Sequence, residues 1–426
     1  MNPAGATPPG VPPTRLFYGW RVVAACFVIA SVTWALGLFG ASVYLQAVTR
    51  AHGWAVAEVS SAITLLFLVS ASVQRIVGQS IDRWGPRPVL SLGTVSLCTG
   101  VALIGQVQAP WQLYPCFALV GIGWSTLSTT GITATVAPWF ERHQGRSMTL
   151  AIMGASIGAI VGVPLLLLAL DRLGLAGGLA ATGLLAGAVL LPLIRGVLRY
   201  RGPADLGLAR DGDAAADASA GGVTASAPLP VAKTGRPRLL LWSAAAAFAL
   251  GLAVQIGFIT HHVALAETQL GTAAAGLLIS ATGAVALVGR LVLARIVDRV
   301  DVRTLAAVVM ALQTGALLAI AIVPLPAVLI AASLVYGYGI GHITTLGPVV
   351  VRREFGAAAF GATYGSAATA IQLTSALGPA LLGVLRDAFG GYGPGLAIAA
   401  ALTTLGGLVL VAGGWAGRRQ TVATRV

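Results

Sequence analysis

The stretch Gly78–Leu90 reads GQSIDRWGPRPVL. It sets Asp82, Arg83 and Arg87 around a Gly-Pro break, between two long apolar runs. A chain leaving a bilayer needs a turn former and polar groups that stay in water. This stretch has both, so its first reading is a stop between two membrane spans.

Composition agrees. Of 426 residues, 57% are hydrophobic and 9% charged, and the mean hydropathy is +0.88. Soluble domains carry about 25% charged residues. The 55 glycines also fit membrane helices, which small residues allow to approach closely. The formal net charge is +13, but the basic residues sit in short connections between apolar runs. That excludes the contiguous basic face nucleic-acid binding requires. Cys26, Cys98 and Cys116 lie inside apolar runs without metal-ligand spacing. The stretch from Met1 to Thr14 is rich in Pro and Gly and lacks a basic n-region, so no cleaved signal is expected.

Twelve apolar runs follow one another, at about 20–44, 57–79, 88–107, 111–137, 147–170, 176–198, 239–263, 273–294, 303–323, 326–350, 359–384 and 393–415. Each is close to the ~20 residues that cross a bilayer as a helix. Backbone polar groups must be satisfied internally in lipid, so runs this continuous predict helices and an all-α, polytopic fold. Residues 200–237 break the series. They hold Asp205, Asp211, Asp213 and Asp217 and then an Ala/Ser/Gly/Pro-rich run, and are expected to form a mobile linker. The expected organisation is a tail at 1–19, a six-helix bundle at 20–199, the linker at 200–237, a second bundle at 238–417 and a tail at 418–426. Of 26 Lys and Arg, only Arg50, Arg172 and Arg386 fall in odd-numbered connections. The positive-inside rule then puts both termini and the linker in the cytoplasm, in a cell membrane.

The opening stretch recurs. At 294–305 the chain reads ARIVDRVDVRTL, and one constant offset maps Asp82 onto Asp298, Arg83 onto Arg299 and Arg87 onto Arg303. The same offset maps Gly121, Gly123, Gly145 and Gly162 onto Gly337, Gly339, Gly361 and Gly378, and Asp171 onto Asp387. Charged matches carry weight in a chain with only 13 acids. The halves read as repeats of one sense, an architecture in which solutes bind between the halves near the midplane.

With those residues in view, GQSIDRWGPRPVL resembles the signature that follows the second span of the major facilitator superfamily. The resemblance covers about 20–417. YGWRVV at 18–23, APWFERHQGRSMTLAIMGASIG at 137–158, RGPADLGL at 201–208 and GPALLGVLRDAFGGY at 378–392 resemble the monocarboxylate and oxalate–formate carriers within it. The resemblance implies two pseudo-symmetric six-helix bundles and secondary transport of small organic anions, monocarboxylate or dicarboxylate, by alternating access. A same-fold carrier of another small solute, such as a drug or neutral metabolite, is the alternative, and a membrane sensor a lesser one. No enzyme, cofactor or metal site is expected. The expected partners are the lipid bilayer and an organic anion, and the expected unit is a monomer.

Asp82, Arg83, Arg87, Asp298, Arg299 and Arg303 are expected to form a conformational latch, because the family's acid sits where the two halves meet. Arg290 stands inside ATGAVALVGRLVLARIV, about two turns before Asp298. An Arg within a span costs roughly 2.5–3.5 kcal/mol even on lenient scales, so it should face a wet cavity or a partner. The resemblance implies that it holds a carboxylate; the alternative is snorkelling to the membrane surface. The chain also departs from the family. Ala41 stands near the place of a span-one Lys, Ala286 in place of an Asp, span eleven has no Lys, and Lys233 in the linker is the only lysine. No Asp or Glu lies in mid-span, so the usual carboxylate relay is missing. His261, His262 and His342 are candidates for proton or anion binding, against a packing role. Tyr44, Tyr364, Gln255 and Gln372 are candidate cavity hydrogen-bonders, against plain packing. Gly154, Gly158 and Gly162, with Gly378 and Pro379, are expected to let gating helices cross closely.

Overall fold

A computed structural model of the chain describes residues 17–212, 238–355 and 357–423. They form α-helices, with short 3₁₀ and π turns and no strand among them. The first half holds α1 (Tyr18–Leu36), α2 (Gly40–His52), α3 (Val56–Trp84), α4 (Pro86–Ile104), α5 (Leu113–Leu127), α6 (Thr129–Val136), α7 (Gln144–Ile157) and α8 (Val163–Val197). The second holds α9 (Arg238–Leu270), α10 (Thr272–Ile296), α11 (Val302–Ile322), α12 (Pro326–Phe355), α13 (Ala357–Ala376), α14 (Gly378–Phe389) and α15 (Tyr392–Ala423).

Ten segments are long and apolar enough to cross a bilayer, fewer than the twelve expected. Two local features account for the difference. The expected fourth span is divided at Ser128, whose extended ψ of −154° separates α5 from α6, and neither piece alone is long enough. The expected fifth and sixth spans run on as one segment of 54 residues, Gln144–Val197. Within it Gly174 takes φ 69°, a left-handed value that only glycine adopts freely. The chain doubles back there. A Cβ on Gly178 would lie 2.8 Å from the Ala169 carbonyl oxygen, a contact that a straight helix through both positions could not make. Gly390 ends α14 at the same φ. It is related to Gly174 by the offset that maps Asp82 onto Asp298, so a positive-φ glycine ends the corresponding helix in each half, although ψ is 178° at Gly174 and 16° at Gly390.

Alternate helices place the connections at 53–55, 105–112, 174, 271, 323–325 and 390–391 on one side, called here the far face. The termini, the linker and the stretch Gly78–Leu90 lie on the other, the termini face. One hydrophobic core runs from Val22 to Leu198 and draws in Val263, Ile279 and Ala376 from the second half, with partly buried Ile256 packed against it. The buried residues of two further cores lie within 240–410, and Leu38 and Phe39 of the first half pack against one of them. Large apolar side chains such as Leu92, Leu184, Leu185 and Ile322 point outward, fully compatible with lipid and costly in water.

Part of the expected mobile linker is ordered. Residues 203–206 and 210–212 form 3₁₀ turns against the termini face. Asp211 accepts backbone N–H bonds from Glu141, Arg142 and His143, at 3.0, 2.9 and 3.2 Å, just ahead of α7. Tyr18 donates to the Val197 carbonyl at 2.8 Å, tying the start of α1 to the end of α8.

Candidate functional site between the halves

The halves are joined firmly at the far face. Arg50, ending α2, meets Glu267 of α9 at 2.9 Å, and Gln46 and Thr272 donate to the same carboxylate. The Val263 N–H donates to Ser42 Oγ at 2.8 Å. Beside this, Asp387 of α14 accepts from the Ala57 N–H at 2.6 Å, at the N-terminus of α3, where the helix dipole favours an anion. Thr64 accepts from the Ala380 N–H at 3.0 Å. Packing is correspondingly close: a Cβ on Gly383 would fall 1.9 Å from Ser60 Oγ.

Deeper along α3 this seam gives way to a small cavity of about 20 Å³, room for about one water. Phe67, Ser70, Ala71 and Trp124 line it from the first half, and Ile256, Gln372 and Ser375 from the second. Trp34 and Trp124 meet edge-on at 4.9 Å, with Phe67 at 6.5 Å from Trp124, so the first half offers an aromatic wall. Beyond the cavity, Arg75, Ile76, Gln79, Asp82 and Arg83 of α3 are exposed.

Arg290 lies on the other seam, between α10 and α7. It sits about 27 Å along α10 from the far-face end, counted at the helical rise, halfway between the helix midpoint and its termini-face end. Its guanidinium does not run out to that surface. Nη1 donates to Ser156 Oγ, across the halves, at 3.2 Å. Gly341 of α12 makes room for it: a Cβ there would lie 2.3 Å from Arg290 Cγ. Among the described residues no carboxylate pairs with Arg290. The aromatic wall packs on the α1 side of the same segment, where a Cβ on Gly158 would lie 3.2 Å from Trp34 Cβ.

The other candidates are placed as follows. Tyr44 is fully buried and donates to the Leu36 carbonyl at 2.8 Å, across the break between α1 and α2. His261 is held on both nitrogens, by the Pro379 carbonyl at 3.0 Å and the Tyr392 hydroxyl at 3.1 Å. His262 meets Ser333 Oγ at 3.0 Å inside the second half. His342 Nδ1 lies 2.8 Å from the Tyr338 carbonyl and so must donate to it. Gln255 accepts weakly from Gln313 at 3.4 Å in the same interior. Gln372 alone of the four Tyr and Gln candidates is seen lining the cavity; the Tyr364 side chain lies outside the described residues.

Among the described residues, the members of the expected latch do not meet across the halves. Asp82, Arg83 and Arg87 are exposed, and Arg83 rests on Trp84 at 5.7 Å. The Asp298 side chain lies outside the described residues, and Arg299 is exposed. Arg303 is 4% exposed and binds within its own half: Glu354 at 2.9 Å, and the carbonyls of Leu240 and Leu410 at 2.6 Å each. The reason is local, since the repeat offset sets Pro138 in the place of Glu354 and gives Arg87 no acid.

The glycine stripe does cross a neighbour closely. A Cβ on Gly154, Gly158 or Gly162 would lie 2.0, 2.4 or 2.3 Å from α1, and one on Gly378 1.9 Å from the Ala253 carbonyl, beside Pro379. Gly158–Gly162 is also a π-helical turn.

The family model described as Major Facilitator Superfamily matches residues 23–379. The chain belongs to that superfamily. It is therefore a multi-pass membrane protein of a family of small-molecule transporters. Among curated relatives it is similar to the oxalate:formate antiporter of Oxalobacter formigenes, 27% identical over 47% of this chain and 46% of that one. It is also similar to the multidrug resistance protein MdtH of Yersinia enterocolitica, 34% identical over 26% of this chain and 27% of that one. These matches span less than half of either relative. Solved major facilitator structures cover nearly the whole fold. The nucleoside transporter NupG aligns at TM-score 0.71 and 12% identity, over 93% of this chain and 98% of that one. A bacterial homolog of the human lysosomal transporter Spinster, inward-facing and occupied, aligns at TM-score 0.66 and 14% identity, over 96% of this chain and 98% of that one. At such identity the likeness concerns the fold.

The sequence pattern did not single out Ser156, Glu267, Gln46, Trp34, Trp124 or Phe67. Glu267 carried one usable signal: an acid ending span seven, opposite Arg50 ending span one. A Ser or Trp in an apolar helix carries none until its neighbours are known.

Proposed function

We propose that the chain is a secondary carrier of small organic anions, monocarboxylate or dicarboxylate, that alternates access between the two faces with Arg290 as the anion's counter-charge. The observation that carries this reading is a half-buried guanidinium at the seam of the halves with no acid beside it among the described residues. A charge so placed is costly unless paired, and a planar carboxylate suits its fork. The partial match to an oxalate:formate antiporter supports exchange of one anion for another. The cytoplasmic placement of the termini, the monomeric unit and the absence of enzymatic activity belong to the same proposal.

Reconstitution in liposomes with labelled oxalate, formate, lactate and pyruvate tests it, with and without a pH gradient. Arg290→Ala should weaken anion binding by at least about thirtyfold, the loss for removing one member of a buried charge pair. Arg290→Lys should recover it only in part, because the fork is lost. Anion binding that survives Arg290→Ala would overturn the proposal. The aromatic wall of Trp34, Trp124 and Phe67 and the match to MdtH favour the second reading, a carrier of apolar or neutral solutes, which that result would support.

A further inference from the structure

The Arg290 site has a second polar group whose hydrogen bonding is incomplete. Ser156 is 4% exposed. It accepts from Arg290, and its own O–H donates to nothing among the described residues. Ser42 and Thr64, which accept backbone N–H bonds across the halves, likewise donate to nothing among the described residues. Other hydroxyls within helices, such as Ser31, Ser72, Thr94, Thr126, Thr135 and Ser280, donate back to the carbonyl one turn earlier. A buried hydroxyl with an unused proton, beside a guanidinium with no carboxylate, gives two donors converging on one point. They come from opposite halves, α7 and α10. Just beyond Ser156 the helix widens into the π turn at Gly158–Gly162, a distortion frequent at functional sites.

We propose that Ser156 is the second ligand of the transported anion, so that a bound carboxylate bridges the halves. One carboxylate oxygen takes N–H from Arg290 and the other O–H from Ser156. The direct Arg290–Ser156 bond is then the empty carrier's substitute for the anion. This rests on Arg290 being the anion site, and it adds the partner that couples binding to the first half.

Anion affinity, read by quenching of tryptophan fluorescence and by uptake, separates the possibilities. Ser156→Ala should weaken carboxylate binding about tenfold, the loss expected for one hydrogen bond to a charged group. Ser156→Thr keeps the hydroxyl and should restore affinity, which a purely structural role would not require. The corresponding neutral amide should bind Ser156→Ala and the parent protein alike. If Ser156→Ala leaves affinity unchanged or tightens it, while Arg290→Ala abolishes binding, Ser156 is only a resting partner and the inference fails with the anion site intact. If neither substitution affects binding, the anion site itself is refuted. Should Ser156→Ala fold poorly, Ser156→Cys keeps the volume with a far weaker donor, and parent-like affinity in that variant would equally overturn the inference.

Discussion

Two arginines show how differently the same side chain can be used within one half. Arg303 has a full set of acceptors: the Glu354 carboxylate, two backbone carbonyls and Ser243 Oγ at 3.3 Å. It fastens α11 to α9, α12 and α15, and its task is structural. Removing it leaves Glu354 as an uncompensated, mostly buried charge. Arg303→Met should therefore cost about 3–5 kcal/mol, read as a lower unfolding temperature in detergent. The double substitution Arg303→Met with Glu354→Gln should recover most of that loss. Among the described residues Arg290 has one neutral acceptor and no acid, the contrast on which the proposed anion site rests. Sequence made Arg290 legible, because an Arg inside an apolar run is conspicuous. Arg303 was legible only as part of a repeated motif, and the motif suggested a joint between halves. Its real partner, Glu354, stands at the end of the next helix, with no spacing to announce it.

At the scale of elements, the segment opening the linker is tethered to α7 through Asp211. Burial alone would raise the carboxyl, but the N–H groups of Arg142 and Glu141 and both contacts from His143 outweigh it, and it titrates below the usual aspartate value. A depressed folded value means the tether stabilises while the group is ionised, above the unfolded value. It is lost as pH falls through the folded value. Hydrogen exchange at 200–212 should stay slow at neutral pH and quicken only under strongly acidic conditions, and Asp211→Ala should show the fast behaviour at neutral pH. This docking was hidden in the sequence, where four Asp beside an Ala/Ser/Gly/Pro run read as a disordered stretch. The helices themselves were legible because a continuous apolar run in lipid has few alternatives. The break at Gly174 fell in the gap expected between the fifth and sixth runs, but the division of the fourth run at Ser128 was not legible, since a single residue's backbone angles decide it.

For the whole molecule, the far face is sealed by contacts that exist only while the halves are together there. Glu267 serves Arg50, Gln46 and Thr272 at once, and Asp387 caps α3. Glu267→Gln should weaken the seal and shift the carrier toward opening on that side. Spin labels at the exposed positions Ala51 and Thr268 should then report a longer and broader distance distribution than in the parent protein. An unchanged distribution would mean that packing such as Gly383 on Ser60 is enough to hold the face shut. The two-bundle plan was legible from the constant offset between the charged motifs at Asp82 and Asp298. The seal was not, because it pairs α2 with α9 and α3 with α14, which belong to different copies of the repeat.

The ligands of Arg303 also carry an order in time. A membrane protein emerges from the ribosome from its N-terminus. Leu240 and Ser243 are already present when Arg303 arrives at the bilayer, whereas Glu354 and Leu410 follow one and two helical hairpins later. Arg303, second residue of α11, stands at the membrane surface, where water can serve it until these acceptors arrive. Docking first on the start of α9 gives the nascent chain a provisional berth, which Glu354 and then the Leu410 carbonyl complete. The ligand set of Arg303 is thus complete only once α15 has been made.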